Sequence, residues 1–282
     1  MKVVIIPNTE RDTDFRNTKK LSSVLISKGI DVFMNRKYAI HVEGAIGLDN
    51  DDELYIGADV IIVLGGDGSI LEALTPSVTY GIPILALNLG RLGYIAQFEK
   101  GDEEKIAETL LCGFGISERS MINISVLREG EYILTDAYAL NDAVVSKNSY
   151  GGVVEIELLS DGNPVTVYRG DGVIASTSTG STAYSMSAGG PVIDPLLDVI
   201  CITPICAHTL GARPVVFSKK SKISFRCLTG DGRVTLCIDG KKDFPLLEGD
   251  IVEIGLSDEK AKLVKTENYG FSRVLYSKMK DY

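Results

Sequence analysis

Apolar and polar positions follow two different rhythms along this chain, and the change falls near Ser117. Lys2–Pro7 carries an apolar run, after which Asp12–Lys28 places Phe15, Leu21, Leu25 and Ile26 at helical spacing before Gly29. Ile30–Met34 predicts a second short strand. Beyond an acidic, glycine-bearing connector (Gly47–Glu53), Asp59–Leu64 is a β-branched run that breaks at Gly65-Gly66-Asp67-Gly68 and resumes as a helical pattern from Ser69. Pro83–Asn88 reads as another buried strand, and Asp102–Cys112 as a helix with Asp102 as N-cap and Gly113 as stop. Strands alternating with helices predict a parallel sheet covered by helices.

From Ser117 onward the period is two. Met121–Leu127, Tyr132–Ser146, Val153–Leu159, Val165–Tyr168, Ile223–Leu228, Val234–Ile238 and Ile251–Ile254 predict strands. Turn signals at Glu129-Gly130, Asp161-Gly162-Asn163-Pro164, Gly230-Asp231-Gly232 and Asp239-Gly240 fit antiparallel connections. One stretch interrupts them: Thr177–Pro195 is dense in Gly, Ser and Thr and predicts only a short helix over Ser181–Ala188. Tyr269–Met279 is amphipathic and is expected to dock back onto the body. The fold class expected is therefore α/β plus all-β. The domains expected are an α/β domain over residues 1–116, a β-rich domain over 117–266 and a docking tail over 267–282.

The length of 282 residues agrees with about two domains. Composition adds a constraint on ligands. Lys and Arg total 29 against 38 Asp plus Glu, a formal charge of −9, which disfavours nucleic acid or an anionic membrane as the main partner. A polyanionic ligand would need cations placed locally. The five cysteines are an odd number, widely spread, with no secretory leader before them, so a reduced, cytoplasmic compartment is expected. Two histidines and no Cys-x-x-Cys leave a zinc site without ligands at usable spacing, and no metal ligand set is expected from the protein itself. Apolar runs such as Val60–Leu64 are far short of the ~20 residues that cross a bilayer.

Candidate chemistry begins at Val63–Ser69. Glycines let a backbone approach phosphate or ribose, and the helix that follows offers unpaired N–H groups to an anion. An aspartate there would repel phosphate unless it accepts a proton from a hydroxyl or holds a cation; the alternative is an ordinary turn in which Asp67 caps the helix. Asn88–Tyr94 follows a predicted strand and so lies at the carboxyl edge of the sheet, or is a surface turn with Arg91 solvated. Asn141-Asp142 places two polar residues in an apolar strand, where they need partners if buried. The string Arg169–Pro191 joins a buried strand to a hydroxyl-rich turn suited to a ligand with many hydroxyls and phosphates. Thr203–Pro214 holds His208, read as structural.

Taken in order, Gly65–Ser69, Asn88–Tyr94, Asn141-Asp142, Arg169–Pro191, Thr203–Pro214 and Asp239-Gly240 resemble the NAD kinase family across nearly the whole chain. The resemblance implies an α/β domain and a β-rich domain with the ligand site between them. It implies phosphorylation of the 2′-hydroxyl of the adenosine ribose of NAD, with ATP or polyphosphate as donor and a divalent cation, Mg²⁺ by expectation. By position, Asp67 resembles the family's general base, and Gly65, Gly66, Gly68 and Ser69 the phosphate-donor loop. The NAD contacts implied are Asp67, Gly68, Asn141, Asp142, Arg169, Asp171, Thr182, Ala183, Tyr184, Ser185 and Ser187. A homodimer or homotetramer is implied. Ser69 stands where the family usually has Thr, Asp142 where Glu is common, Ser178 where Pro is common and Lys241 where Gln often follows Asp-Gly.

A Gly-Gly-Asp-Gly turn also occurs in phosphofructokinases and in lipid kinases. The β-rich second half disfavours the first, and the lack of a basic or strongly apolar docking segment disfavours the second. A dinucleotide sensor that binds without consuming ATP is a further alternative.

Overall fold

The computed structural model describes the chain except for residues 91–92, 149–151, 209–210, 231, 242, 267–269 and 281–282. It divides into two compact units, Met1–Glu118 with Ala261–Tyr282, and Arg119–Lys260.

The first unit runs β1 (Lys2–Ile6), α1 (Arg16–Ser27), β2 (Asp31–Asn35), α2 (Arg36–Ala39), β3 (Ile46–Leu48), α3 (Asp51–Tyr55), β4 (Val60–Gly65), α4 (Asp67–Tyr80), β5 (Ile84–Asn88), β6 (Phe98–Glu99) and α5 (Glu103–Cys112). Its strands are parallel, in the order β6-β5-β4-β1-β2-β3. Every residue of β4 is buried, which is why that strand reads as an unbroken apolar run rather than an alternation. Leu21 and Leu25 of α1 join Ile5, Ile62, Leu64 and Phe98 in one core.

Helix α1 starts at Arg16 rather than at Asp12. The Asp12 carboxylate instead folds forward: Oδ1 accepts the Asn17 N–H at 3.0 Å, and Oδ2 accepts the Thr18 N–H at 2.9 Å and its hydroxyl at 2.6 Å. Burial alone would raise this carboxyl, but the bonds from Thr18 and Asn17 outweigh it and hold the group below its ordinary value.

Among its described residues the second unit is all-β apart from one short helical stretch. It contains β7 (Gly115–Arg128, from Arg119 on), β8 (Glu131–Ala139), β9 (Asp142–Lys147), β10 (Val154–Ser160), β11 (Asn163–Gly170) and β12 (Gly172–Thr177). A 3₁₀ turn (Gly180–Thr182) and α6 (Tyr184–Ser187) follow, then β13 (Val199–Ile205), β14 (Val215–Ser218), β15 (Ile223–Cys227), β16 (Val234–Ile238), β17 (Asp243–Leu246) and β18 (Ile251–Lys265). An antiparallel sheet in the order β14-β13-β12-β9-β16-β17 faces strands β11-β10-β15-β18. Val145, Val173 and Leu236 from the first layer and Ile156, Phe225 and Val252 from the second share one core.

Glu129-Gly130, Asp161-Gly162 and Asp239-Gly240 close hairpins with positive φ at both residues, the geometry whose twist matches paired strands. The Asp231 turn lies outside the described residues. The run Tyr132–Ser146, expected as one strand, is two: β8 pairs with β7, whereas β9 belongs to the six-stranded sheet. Strands β13 and β14 arise where the sequence pattern predicts none. In the first unit the end of β18 pairs in parallel with β5 at Leu263–Ile84, and α7 (Phe271–Lys280) completes the fold.

Candidate functional site

Asp67 is the first residue of α4, directly after the carboxyl end of β4. Its Oδ2 accepts the Tyr94 N–H at 2.7 Å, and its Oδ1 accepts those of Ile95 at 3.3 Å and Ala96 at 3.1 Å. The two glycine strings that the sequence presents separately are thus one structure. Gly65 and Asn88 are register partners on neighbouring strands, Leu89 donates to the Gly65 carbonyl at 2.8 Å, and the Asn88 side chain accepts the Gly90 N–H at 3.0 Å. A Cβ at Gly93 would stand 2.1 Å from Asp67 Oδ1, so only glycine lets this backbone lie against the carboxylate. Arg91 lies outside the described residues.

A carboxylate accepts at about four lone-pair positions. Three are filled here, two on Oδ1 and one on Oδ2, which leaves Oδ2 one position for a further donor. Gly68 is exposed beside it, and the buried Ser69 hydroxyl accepts from Asn8 Nδ2 at 3.1 Å.

The second unit holds a cavity of about 560 Å³, within the size range of small-molecule sites. Asn141, Asp142, Lys147, Ala183, Tyr184 and Asp239 line it. Asp239, at φ 48°, turns its carboxylate back on the chain: Oδ2 accepts the Leu140 N–H at 2.8 Å, and Oδ1 those of Asn141 at 2.8 Å and Asp142 at 3.0 Å. These bonds take the donors that a continuous strand would give its neighbour, which is why the chain breaks between β8 and β9. Burial, and after it the negative Asp239, push the Asp142 carboxyl up to about 7. Burial also raises Asp239, against the pull of its three N–H donors and of Lys241. Beside the cavity Lys147 Nζ pairs with Asp171 Oδ1 at 2.6 Å.

The remaining residues named from sequence are placed differently. Arg169 pairs with Glu155 at 3.4 Å and does not line the cavity. Thr182 donates to the Thr179 carbonyl at 3.1 Å, Ser185 bonds Thr203 in the core at 2.8 Å, and Ser187 is exposed. Other hydroxyls of this string are likewise spent internally: Thr177 donates to the Leu140 carbonyl, Ser181 to that of Ser178, and Ser178 to that of Leu197. They shape the turn rather than face outward. Sequence reasoning did not single out Asn8, Lys147 or Asp239 as part of the site. Asp239 carried a signal as a turn dipeptide and within one of the strings of the resemblance, though with no site role, and Lys147 and Asn8 carried none.

A parallel sheet with a glycine turn at its carboxyl edge is the arrangement of nucleotide-binding α/β proteins. The model of the ATP-NAD kinase N-terminal domain matches residues 3–113, and that of the ATP-NAD kinase C-terminal domain matches residues 140–266. The NAD kinase of Natranaerobius thermophilus is 36% identical over 278 residues, spanning 98% of this chain and 97% of that one. The NAD kinase of Symbiobacterium thermophilum is 42% identical over 222 residues, 78% of each chain. Among solved structures, yeast NADH kinase complexed with NADH is similar with a TM-score of 0.83 and 25% identity, over 95% of this chain and 84% of that one. An NAD kinase from Archaeoglobus fulgidus in complex with ATP follows with a TM-score of 0.79 and 25% identity over 100% of both. The chain belongs to the NAD kinase family, enzymes that phosphorylate NAD to NADP.

Proposed function

We propose that Asp67 is the general base of this kinase, and that the acceptor is the 2′-hydroxyl of the adenosine ribose of NAD. The observation that carries the reading is the open position on Oδ2 of a carboxylate otherwise fixed by three backbone N–H groups. As the ribose oxygen attacks the terminal phosphorus of ATP, a new P–O bond forms, the bond to the bridging oxygen breaks and ADP leaves; the ribose proton passes to Oδ2. A positioned base contributes ~10²–10⁴-fold. The glycine turn lets the donor's phosphates approach the backbone, since phosphoryl transfer rests mainly on positioning and electrostatics.

In the same reading Asn141, Asp142, Ala183 and Tyr184 hold the nucleoside portions of NAD, because they converge on one cavity. Asp171, held by Lys147 beside the cavity, and the exposed Gly68 and Ser187 are further contacts that the resemblance implies, whereas Arg169, Thr182 and Ser185, engaged by Glu155, Thr179 and Thr203, serve by shaping the surrounding chain. Among the described residues no three His, Cys, Asp or Glu side chains converge on a point that could hold a metal ion. A divalent cation such as Mg²⁺ would arrive with the donor phosphates and supply charge neutralisation there, Asp67 being the carboxylate that the turn itself could offer it.

The protein is further read as a cytoplasmic homo-oligomer. No helix among the described residues is long and apolar enough to cross a membrane, and the exposed Val165 and Val167 on edge strand β11 offer a surface for a second copy. Purified protein supplied with NAD or NADH, Mg²⁺ and either ATP or polyphosphate tests the reading. NADP or NADPH formation with ATP is expected, and no turnover with any pair would refute it.

A further inference from the structure

We propose that Arg11 is a phosphate-positioning residue: its guanidinium, seated over Gly66 and Gly90, binds the transferred end of the donor's polyphosphate chain. A chain of net charge −9 can hold such a ligand only where a cation stands free of carboxylates. Arg11 meets that condition at the glycine turns. A Cβ at Gly66 would lie 3.1 Å from Arg11 Nη1, and one at Gly90 also 3.1 Å, so both strings leave out a side chain at the same nitrogen. Among the described residues no ion pair or hydrogen bond engages this guanidinium, and the residue is exposed.

The position is fixed from behind. Asn8 Oδ1 accepts the Arg11 N–H at 3.0 Å and that of Glu10 at 3.1 Å, while Asn8 Nδ2 donates to Ser69 Oγ of the phosphate-donor loop. The next residue, Asp12, is 1% exposed and locked by its bonds to Asn17 and Thr18. The bend after β1 is therefore tied both to α1 and to the Gly65–Ser69 turn, and the guanidinium is the part of Arg11 left to move toward a ligand. Its planar fork suits two oxygens of one phosphate, a geometry an ammonium does not reproduce.

The proposal rests on the phosphoryl-transfer reading above, so the test has two arms on the full chain: steady-state kinetics, and calorimetric titration with inorganic tripolyphosphate. Arg11→Ala is expected to raise half-saturating ATP and weaken tripolyphosphate binding by about tenfold or more, as loss of charged hydrogen bonds predicts. Half-saturating NAD and the melting temperature should stay close to those of the parent, and Arg11→Lys should recover only part of the loss. A merely structural Arg11 would move both substrates together or lower the melting temperature. Unchanged tripolyphosphate binding in Arg11→Ala, or an equal rise for ATP and NAD, overturns the proposal. Parent protein that binds tripolyphosphate through Arg11 yet makes no NADP would overturn the kinase reading instead and leave the anion site standing.

Discussion

Asp239 Oδ1 accepts the backbone N–H of Asp142 at 3.0 Å, and this places two carboxylates against one another at the wall of a cavity. The clip fixes where Asn141 and Asp142 stand, and its charge joins burial in making Asp142 a weak acid.

The first consequence is a pH dependence. The folded-state value of Asp142 is raised from 3.8 to about 7, so its contribution to stability is fully present below 3.8 and is lost as pH rises through about 7. Asp142→Asn removes that loss. The variant should melt higher than the parent by a margin that widens between those two values and is constant above them, measured by thermal unfolding across the range. Because an ionised carboxylate is the stronger acceptor for a ribose hydroxyl, half-saturating NAD in the parent should fall as pH rises through about 7.

Asp67→Asn should lower kcat by about two orders of magnitude or more while NAD binding stays within several-fold, as for an interaction made chiefly in the transition state. Initial-rate kinetics with direct NAD titration checks this. Unchanged turnover would remove Asp67 from the role of base.

Gly93→Ala places a methyl 2.1 Å from Asp67 Oδ1, which the carboxylate can relieve only by leaving the Tyr94, Ile95 and Ala96 N–H groups. A fall in kcat of about tenfold or more is expected, since small displacements of a catalytic group are costly. A crystal structure of the variant should show the carboxylate rotated; parent-like turnover would show that those three bonds do not position it.

Asp12→Ala should destabilise the protein by about 1–3 kcal/mol at neutral pH, because the Asn17 and Thr18 donors lose their acceptor. The folded-state value of Asp12 is depressed, so its stabilisation is fully present above the ordinary 3.8 and is lost as pH falls from there through the lower folded-state value. Denaturant unfolding at pH 7 and at pH 3 should therefore show a wide and then a narrow gap between variant and parent.

Local chemistry decided much of this molecule. The buried run Val60–Leu64 is apolar throughout because helices cover both faces of a parallel strand, and Glu129-Gly130, Asp161-Gly162 and Asp239-Gly240 set their hairpins by accepting positive φ. The family, and with it the activity, were likewise legible, since six short strings from Gly65–Ser69 to Asp239-Gly240 keep their order along the chain. Tertiary structure alone decided which strings meet. That Asp67 is held by residues 94–96, that Asp239 divides Tyr132–Ser146 between two strand systems, and that Arg11 lies over Gly66 and Gly90 are contacts across 27 to 99 positions. No periodicity encodes such a pairing, because a side chain's partner is set by where the sheet brings distant backbone N–H groups, not by its neighbours in sequence. For the same reason the hydroxyls of Thr177, Ser178, Ser181, Thr182 and Ser185 looked like ligand donors in the string, yet in the folded unit they bond to its own carbonyls and hydroxyls.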